Sequence, residues 1–339
     1  MKKYNVAIVG ATGLVGQKLI QVIQERNFPF NNLKLLASQR SANKKMNIGG
    51  EEYLVEEACP EAFTGIDFAF LSAGGSVSEK LVPEAVKRGA VVVDNSNAFR
   101  MDPDVPLVVP EVNPEAVKEH KGLIANPNCS TIQMVVALEP LHKIAGLKRV
   151  VVATYQAVSG AGSEAIEELY NQSRAFLEGK TITKKMIPHK GAAKQHQIAF
   201  NLVPQLDVFL ADGYCKEERK MIDETRKIMN LPELKITATT VRVPVANGHS
   251  EAINVEFHNS ITPEAAREAL AKAPGVVVID DPSALEYPMP LDCDGSDQVF
   301  VGRIRPDDSV ENGLNLWVVA DNIRKGAATN SIQIAQLLL

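Results

Sequence analysis

The sequence predicts an α/β protein of two domains, the first on a mostly parallel sheet and the second, α+β, on an antiparallel or mixed sheet. Three observations lead there. Through the first 128 residues, short apolar runs alternate with amphipathic helical stretches, the texture of βαβ units. Beyond them β-rich segments follow one another with long connections, as antiparallel and mixed sheets do. A length of 339 residues fits about two domains. Composition agrees: 45% hydrophobic and 23% charged residues exclude a disordered chain, and 22 Gly and 19 Pro without period exclude a collagen-like one.

Taken in order, Tyr4–Val9 is an apolar run closed by Gly10, and Leu14–Glu25 has the period of an amphipathic helix. The two lysines before that run invite comparison with a signal peptide. Gly10, Thr12 and Gly13 break its apolar stretch too soon, so it reads as a first strand. Leu33–Ala37 and Asp67–Ser72 are further strands, and Ser76–Arg88 is a helix stopped by Gly89. Ala90–Asp94 and Gly122–Ala125 complete the first sheet. Thr131–Ile144 is apolar on nearly every side and predicts a buried helix. In the second part, Arg149–Val158, Lys235–Pro244, Glu251–His258, Asp297–Ile304 and Leu314–Ala320 read as strands. Glu164–Phe176, Glu217–Met229 and Pro263–Lys272 supply its helices, while Pro188–Asp207 is polar and irregular, a candidate functional loop. Arg324–Leu339 closes the chain as a helix with one apolar face.

Charge and cysteines narrow the chemistry. A net charge of −5, from 36 basic and 41 acidic residues with no basic run, argues against nucleic acid as a partner. No apolar run approaches the roughly 18–20 residues that span a bilayer, so no membrane partner is expected. The four cysteines (59, 129, 215 and 293) are too few for a disulfide scaffold and form no C-x-x-C pair. No His stands at metal-ligand spacing from them, so no metal site is expected. A reducing, cytoplasmic compartment is the expectation.

Two motifs carry chemistry. Gly10-Ala11-Thr12-Gly13-Leu14-Val15-Gly16 joins the first strand to the first helix. Its glycines permit a tight turn and close backbone approach, and the helix N-terminus can receive a pyrophosphate. This predicts a Rossmann-like dinucleotide-binding domain. The second strand ends in Ala37-Ser38-Gln39-Arg40-Ser41, with no acid for a ribose hydroxyl but a guanidinium and hydroxyls suited to a 2′-phosphate. NADP is therefore favoured over NAD. The second motif, Asn126-Pro127-Asn128-Cys129-Ser130-Thr131, sets a thiol at a helix start. Free amides and the helix dipole there stabilise a thiolate able to attack a carbonyl.

These motifs resemble those of the aspartate-semialdehyde dehydrogenase family. The matching pieces are Gly10–Gly16, Ser38–Ser41, Asn95–Arg100, Asn128-Cys129-Ser130, Tyr155–Gly162, Arg242 through Ser250, and Ala320–Gly326, in the family's order along nearly the whole chain. The resemblance implies NADPH-dependent reduction of L-aspartyl-4-phosphate to L-aspartate 4-semialdehyde and phosphate, a step toward lysine through diaminopimelate, methionine, threonine and isoleucine. It implies an NADP-binding domain of residues 1–128 with 323–339, and a catalytic and dimerisation domain of 129–322 with a mixed sheet. A homodimer or tetramer is implied too. The chain looks like the family's shorter branch, and Cys129 follows Pro127-Asn128 rather than glycines.

By the same resemblance, Cys129 is the nucleophile that forms an acyl-thioester, Gln156 orients the substrate carbonyl or the thioester, and His249 is the general acid–base. A histidine near its ordinary pKa would suit that task at neutral pH. Arg242 would grip the α-carboxylate. Arg100, Lys220 and Asn128 would bind phosphate, and Glu217, or its neighbour Glu218, the α-ammonium. For the cofactor the implied contacts are Gly10, Thr12, Gly13, Leu14, Val15, Ser38, Arg40 and Ser41, with Ser159, Gly160 and Asn322 near the nicotinamide. Competing readings are another acyl-phosphate reductase (N-acetylglutamyl-phosphate reductase, glyceraldehyde-phosphate dehydrogenase) or a catalytically silent dinucleotide-binding regulator.

Overall fold

A computed structural model describes residues 2–339, and the chain divides into two compact units, Met1–Asn128 with Ala327–Leu339 and Cys129–Gly326. The return to the first unit thus falls four residues later than the sequence suggested, at 326/327 rather than 322/323. The cause is local. Asp321 Oδ1 accepts the amides of Ile323 and Arg324, Gly326 N–H donates to the Asp321 carbonyl, and Arg324 Nε bonds Asp297, so this turn is tied to the second unit.

In the first unit, β1 (Tyr4–Val9), α1 (Leu14–Glu25), β2 (Phe30–Ala37), β3 (Lys45–Ile48), β4 (Glu51–Glu57), β5 (Phe68–Leu71), α2 (Gly75–Lys87), β6 (Val91–Asp94) and β7 (Leu123–Ala125) follow in order. Its seven-stranded sheet runs β3-β4-β2-β1-β5-β6-β7, parallel except for the antiparallel β3/β4 edge. The central strands are continuous apolar runs because helices cover them, and Val6, Ile8, Leu35 and Phe70 are fully buried. The β3–β4 hairpin, rich in Glu and Lys and largely exposed, has no such run and lies at the sheet edge, where charge discourages further pairing.

The closing helix α8 (Thr329–Gln336) belongs to this unit. It differs from the expected one-faced helix: Thr329, Asn330, Ser331, Ile332, Ile334 and Ala335 are all buried. Polar positions survive there because they are bonded. Asn330 Nδ2 donates to the Val108 carbonyl at 3.0 Å and to Asn126 Oδ1 at 2.8 Å.

The second unit opens with α3 (Cys129–Ala145), followed by β8 (Leu147–Gln156), α4 (Ser163–Leu177), α5 (Lys216–Ile228), β9 (Lys235–Arg242) and β10 (His249–Phe257). Then come α6 (Pro263–Ala271), β11 (Val276–Val278), α7 (Pro290–Cys293), β12 (Val299–Pro306) and β13 (Gly313–Ala320). The six-stranded sheet, ordered β11-β12-β13-β10-β8-β9, is mixed: β8/β9 and β11/β12 are parallel and the other pairs antiparallel. Helix α3 packs on this sheet and on α5. Alternate residues of β10 (His249, Glu251, Ile253, Val255) point inward and are buried. Residues 188–207 are largely irregular, and Gln172 on α4 steadies them by accepting the amides of Ile198 and Ala199. Among the described residues no helix is long and apolar enough to cross a membrane.

Candidate active site

In the first unit the Gly10–Gly16 turn has the form of an anion cradle. Gly10 has φ +83°, and a Cβ there would lie 2.3 Å from the Ser72 carbonyl oxygen. At Gly16 a Cβ would lie 2.1 Å from the Gly10 oxygen, so both positions exclude a side chain. Gly13 is the N-cap of α1, contributes no side-chain acceptor, and no acid occupies the first turn. Leu14 and Val15 thereby present a helix N-terminus whose dipole nothing local neutralises, with Thr12 at the turn before it. Past β2, Ser38 caps a short 3₁₀ turn, Gln39–Ser41, on which Arg40 is exposed. Arg100, also in this unit, is buried and held by main-chain carbonyls, Nε to Asn126 at 2.9 Å and Nη2 to Asn95 at 2.8 Å. Asn128, buried, is the unit's last residue before α3.

The second unit gathers the remaining charged and nucleophilic candidates. Cys129 is the first residue of α3 and partly buried; none of the four cysteines is in a disulfide. The register of the parallel pair sets Gln156 and Arg242 opposite each other at the ends of β8 and β9. His249 begins β10, which pairs antiparallel to β8, so its first residue comes to the same end of the sheet. Arg242 and His249 therefore end one strand and begin the next. The main chain of Ala157 holds both: its N–H donates to His249 Nδ1 at 3.1 Å and its carbonyl accepts Arg242 Nη1 at 2.7 Å.

That arrangement fixes the imidazole. An amide N–H only donates, so Nδ1 carries no proton and neutral His249 has its proton on Nε2. His249 Nε2 and Arg242 Nε are both buried and without a hydrogen-bond partner. Burial, and then the Arg242 charge, push the His249 pKa down to about 3, with Glu217 acting weakly the other way. The expectation of a histidine near its ordinary pKa is thus not met. Burial also lowers the Arg242 pKa, opposed by the negative groups facing it, Glu217 first and then the Cys129 sulfur.

A carboxylate–ammonium pair adjoins. Gln156 Nε2 donates to Glu217 Oε1 at 3.1 Å, and Thr154 Oγ1 donates to Gln156 Oε1 at 3.0 Å. Lys220 Nζ, one turn along α5, bonds Glu217 Oε2 at 3.0 Å and lies 3.6 Å from Asp207 Oδ2. Glu218 is committed elsewhere: it accepts the Cys215 amide at 2.7 Å, capping α5, and the Thr240 amide at 3.0 Å. Ser159 and Asn322 bond each other, Nδ2 to Oγ at 3.0 Å, and Asn322 Oδ1 accepts the Gly248 amide, leaving Gly160 exposed beside them. A Cβ on Gly160 would approach Arg242 Nη1 to 3.0 Å and His249 Nε2 to 3.4 Å.

Three contributors escaped the sequence. The Ala157 peptide acts through its backbone, and Asp207 lies in an irregular loop with no local pattern. Gly326 presses on Cys129, since a Cβ there would sit 2.8 Å from the Cys129 Cβ. Its signal was present as the last residue of the Ala320–Gly326 motif.

Known proteins bear on this geometry. Residues 5–120 match the family described as semialdehyde dehydrogenase, NAD binding domain, and residues 138–325 match semialdehyde dehydrogenase, dimerisation domain. The aspartate-semialdehyde dehydrogenase of Aquifex aeolicus is 59% identical over 99% of this chain and 98% of its own length. That of Bacillus subtilis is 55% identical over 98% and 97%. Among solved structures, aspartate semialdehyde dehydrogenase II of Vibrio cholerae complexed with ASA superposes with TM-score 0.94 at 46% identity, covering 100% of this chain and 98% of that one. The Candida albicans enzyme with NADP gives TM-score 0.76 at 28% identity over 99% and 98%. With both halves matched and relatives alike from end to end, the chain belongs to the aspartate-semialdehyde dehydrogenase family.

Proposed function

We propose that this chain catalyses the NADPH-dependent reduction of L-aspartyl-4-phosphate to L-aspartate 4-semialdehyde and phosphate, in lysine, methionine and threonine biosynthesis. The observation that carries the reading is the pair of buried donors without partners, Arg242 Nε and His249 Nε2, held by the main chain of one residue, Ala157, in the unit that begins at Cys129. Buried polar groups without partners are costly, and an anionic ligand with a carbonyl to polarise supplies what they lack.

Cys129 Sγ attacks the acyl carbon; the C–S bond forms as the C–O bond to phosphate breaks, leaving a thioester. Gln156, held between Thr154 and Glu217, orients the carbonyl. Arg242 keeps Nε and its second terminal nitrogen for the α-carboxylate, since Nη1 is spent on Ala157. Glu217 holds the α-ammonium, because Glu218 is used in capping α5 and bonding Thr240. Lys220, Arg100 and Asn128 serve the phosphate. His249 presents Nε2–H to the oxygen that becomes negative; as a neutral imidazole it acts first as a hydrogen-bond donor, and the proton it shares with that oxygen as the hemithioacetal forms returns to Nε2 as the carbonyl re-forms and the Cys129 thiolate leaves.

The uncapped N-terminus of α1 fits a pyrophosphate, contacted by Gly10, Thr12, Gly13, Leu14 and Val15. Arg40, Ser38 and Ser41 fit a 2′-phosphate, which selects NADP over NAD. Ser159, Gly160 and Asn322 would line the nicotinamide, which when bound supplies hydride. The nucleotide domain would comprise residues 1–128 and the tail, and the catalytic domain would form the interface of a homodimer or tetramer in the cytoplasm.

Phosphate-dependent reduction of NADP⁺ with aspartate semialdehyde tests the reading. Activity is expected, and Cys129→Ala should abolish turnover while leaving NADP binding nearly intact. Turnover of a different aldehyde but not this one, or a Cys129→Ala variant that still turns over, overturns it. Equal efficiency with NAD and NADP would overturn the nucleotide assignment alone.

A further inference from the structure

Glu251 is a fully buried acid with no part in the chemistry above. It stands two residues beyond His249 on β10 and so on the same inward face. Across from that face lies α3, where Gln133 stands four residues, one turn, beyond Cys129. The two pairs thus repeat each other one step deeper: Cys129 then Gln133 on the helix, His249 then Glu251 on the strand.

Their bonding is specific. Gln133 Nε2 donates to the His249 main-chain carbonyl at 3.3 Å. A carbonyl only accepts, so this contact fixes which end of the amide faces β10. The Glu251 carboxyl faces the same Gln133 amide. Gln133 Oε1 and both Glu251 oxygens are buried without a hydrogen-bond partner.

We propose that Glu251 is a positioning residue: through the Gln133 amide it holds the main chain of His249 against the first turn of α3, where Cys129 lies. This rests on the roles proposed above for His249 and Cys129. It acts as the neutral acid. Burial raises its pKa well above the ordinary carboxylate value, and the Gln133 amide, the neighbour that favours ionisation, is outweighed. A carboxylate would leave Gln133 Oε1 without a donor, whereas a carboxylic acid has one O–H to give and still accepts through its other oxygen. The pair then closes a two-residue bridge between strand and helix, directly beneath the reacting groups.

Three variants, Glu251→Gln, Glu251→Leu and Gln133→Met, test this, each as the full chain with kcat and KM measured for phosphate-dependent NADP⁺ reduction. Glu251→Gln keeps a donor and an acceptor and should retain kcat. Glu251→Leu should lower kcat by about tenfold or more, the scale of a slightly displaced reacting group, with KM for the semialdehyde nearly unchanged. The double variant Glu251→Leu with Gln133→Met should be no slower than the slower single, because the two act in series. An infrared difference spectrum of wild type against Glu251→Gln at neutral pH should show the C=O stretch of a protonated carboxyl in wild type.

Loss of kcat in Glu251→Gln as large as in Glu251→Leu, multiplicative losses in the double variant, or absence of the protonated-carboxyl band overturns the proposal. Should Glu251→Leu fail to fold, Gln133→Met, Glu251→Gln and the band still decide it. A wild type inactive on aspartate semialdehyde would sink the proposed function instead. The bridge would then be judged by the band and by the rate at which iodoacetamide alkylates Cys129, unchanged in Glu251→Gln and altered in Gln133→Met if the bridge exists.

Discussion

Substituting Gly326 by alanine should slow the proposed reaction sharply without removing any group assigned a part in it. The added Cβ would lie 2.8 Å from the Cys129 Cβ and 3.2 Å from its Cα. Carbon atoms in good contact sit about 3.5–4.0 Å apart, so roughly 0.7–1.2 Å must be found. The atoms that must yield are the root of the Cys129 side chain, the proposed nucleophile, and its backbone, at the first residue of a packed helix, rather than a flexible side-chain end. Misplacement of about 1 Å can cost on the order of 10²-fold in rate, near 2.7 kcal/mol in the barrier. Overpacking would also cost roughly 1–3 kcal/mol of stability. Steady-state kinetics with aspartate semialdehyde, phosphate and NADP⁺ read the effect, with NADP affinity as the control for an intact nucleotide unit. A folded Gly326→Ala variant with kcat within about twofold of wild type would refute the idea that Gly326 seats the nucleophile.

Further outcomes follow from the same geometry. Arg40→Ala should weaken NADP by about 1.5–3 kcal/mol, the worth of a hydrogen bond to a charged group, while barely affecting NAD; titration of both nucleotides checks this. Glu218→Ala should destabilise the fold by about 1–3 kcal/mol by stranding the Cys215 and Thr240 amides, whereas Glu217→Gln should raise KM for the semialdehyde; denaturant melts and kinetics separate the two. Because the folded-state pKa of His249 lies near 3 against an unfolded value of about 6.5, the unfolded chain binds the extra proton as pH falls. Stability should therefore be fully present above about pH 6.5 and decline toward pH 3, by about 2 kcal/mol at pH 5 from this group. A His249→Asn variant should lack that part of the slope in denaturant titrations.

Much of this was readable from residues alone, for identifiable reasons. Buried parallel strands such as Val91–Asp94 announce themselves as apolar runs, and Cys129 was placed at a helix start by the Asn-Pro-Asn turn before it. The β3–β4 hairpin was missed because an exposed edge strand such as Glu51–Glu57 need not bury a face, so its period-2 signal is drowned by charge. The buried polar side of α8 was missed because Asn330 and Ser331 owe their burial to partners 204 and 236 residues away, Asn126 and Asn95, beyond any local pattern. The choice between Glu217 and Glu218 could not be made by spacing, since both belong to the first turn of α5. It rests on which carboxylate is already engaged by main-chain amides. The depressed pKa of His249 was equally out of reach, because it comes from burial and from Arg242, which arrives on another strand.

The main chain of Ala157 has a consequence for how this site can be probed and how it can change. Its N–H orients an imidazole and its carbonyl a guanidinium, yet the side chain is a methyl group. Scanning mutagenesis would report position 157 as a matter of size alone, because every natural replacement except proline keeps both bonds. Only an amide-to-ester exchange, which deletes the N–H while keeping the methyl, would free the His249 ring to turn over and reverse which nitrogen carries the proton. The orientations of a neutral imidazole and a guanidinium are thus entrusted to main chain, the part of a protein that substitution leaves in place, so both persist when the side chain at position 157 changes.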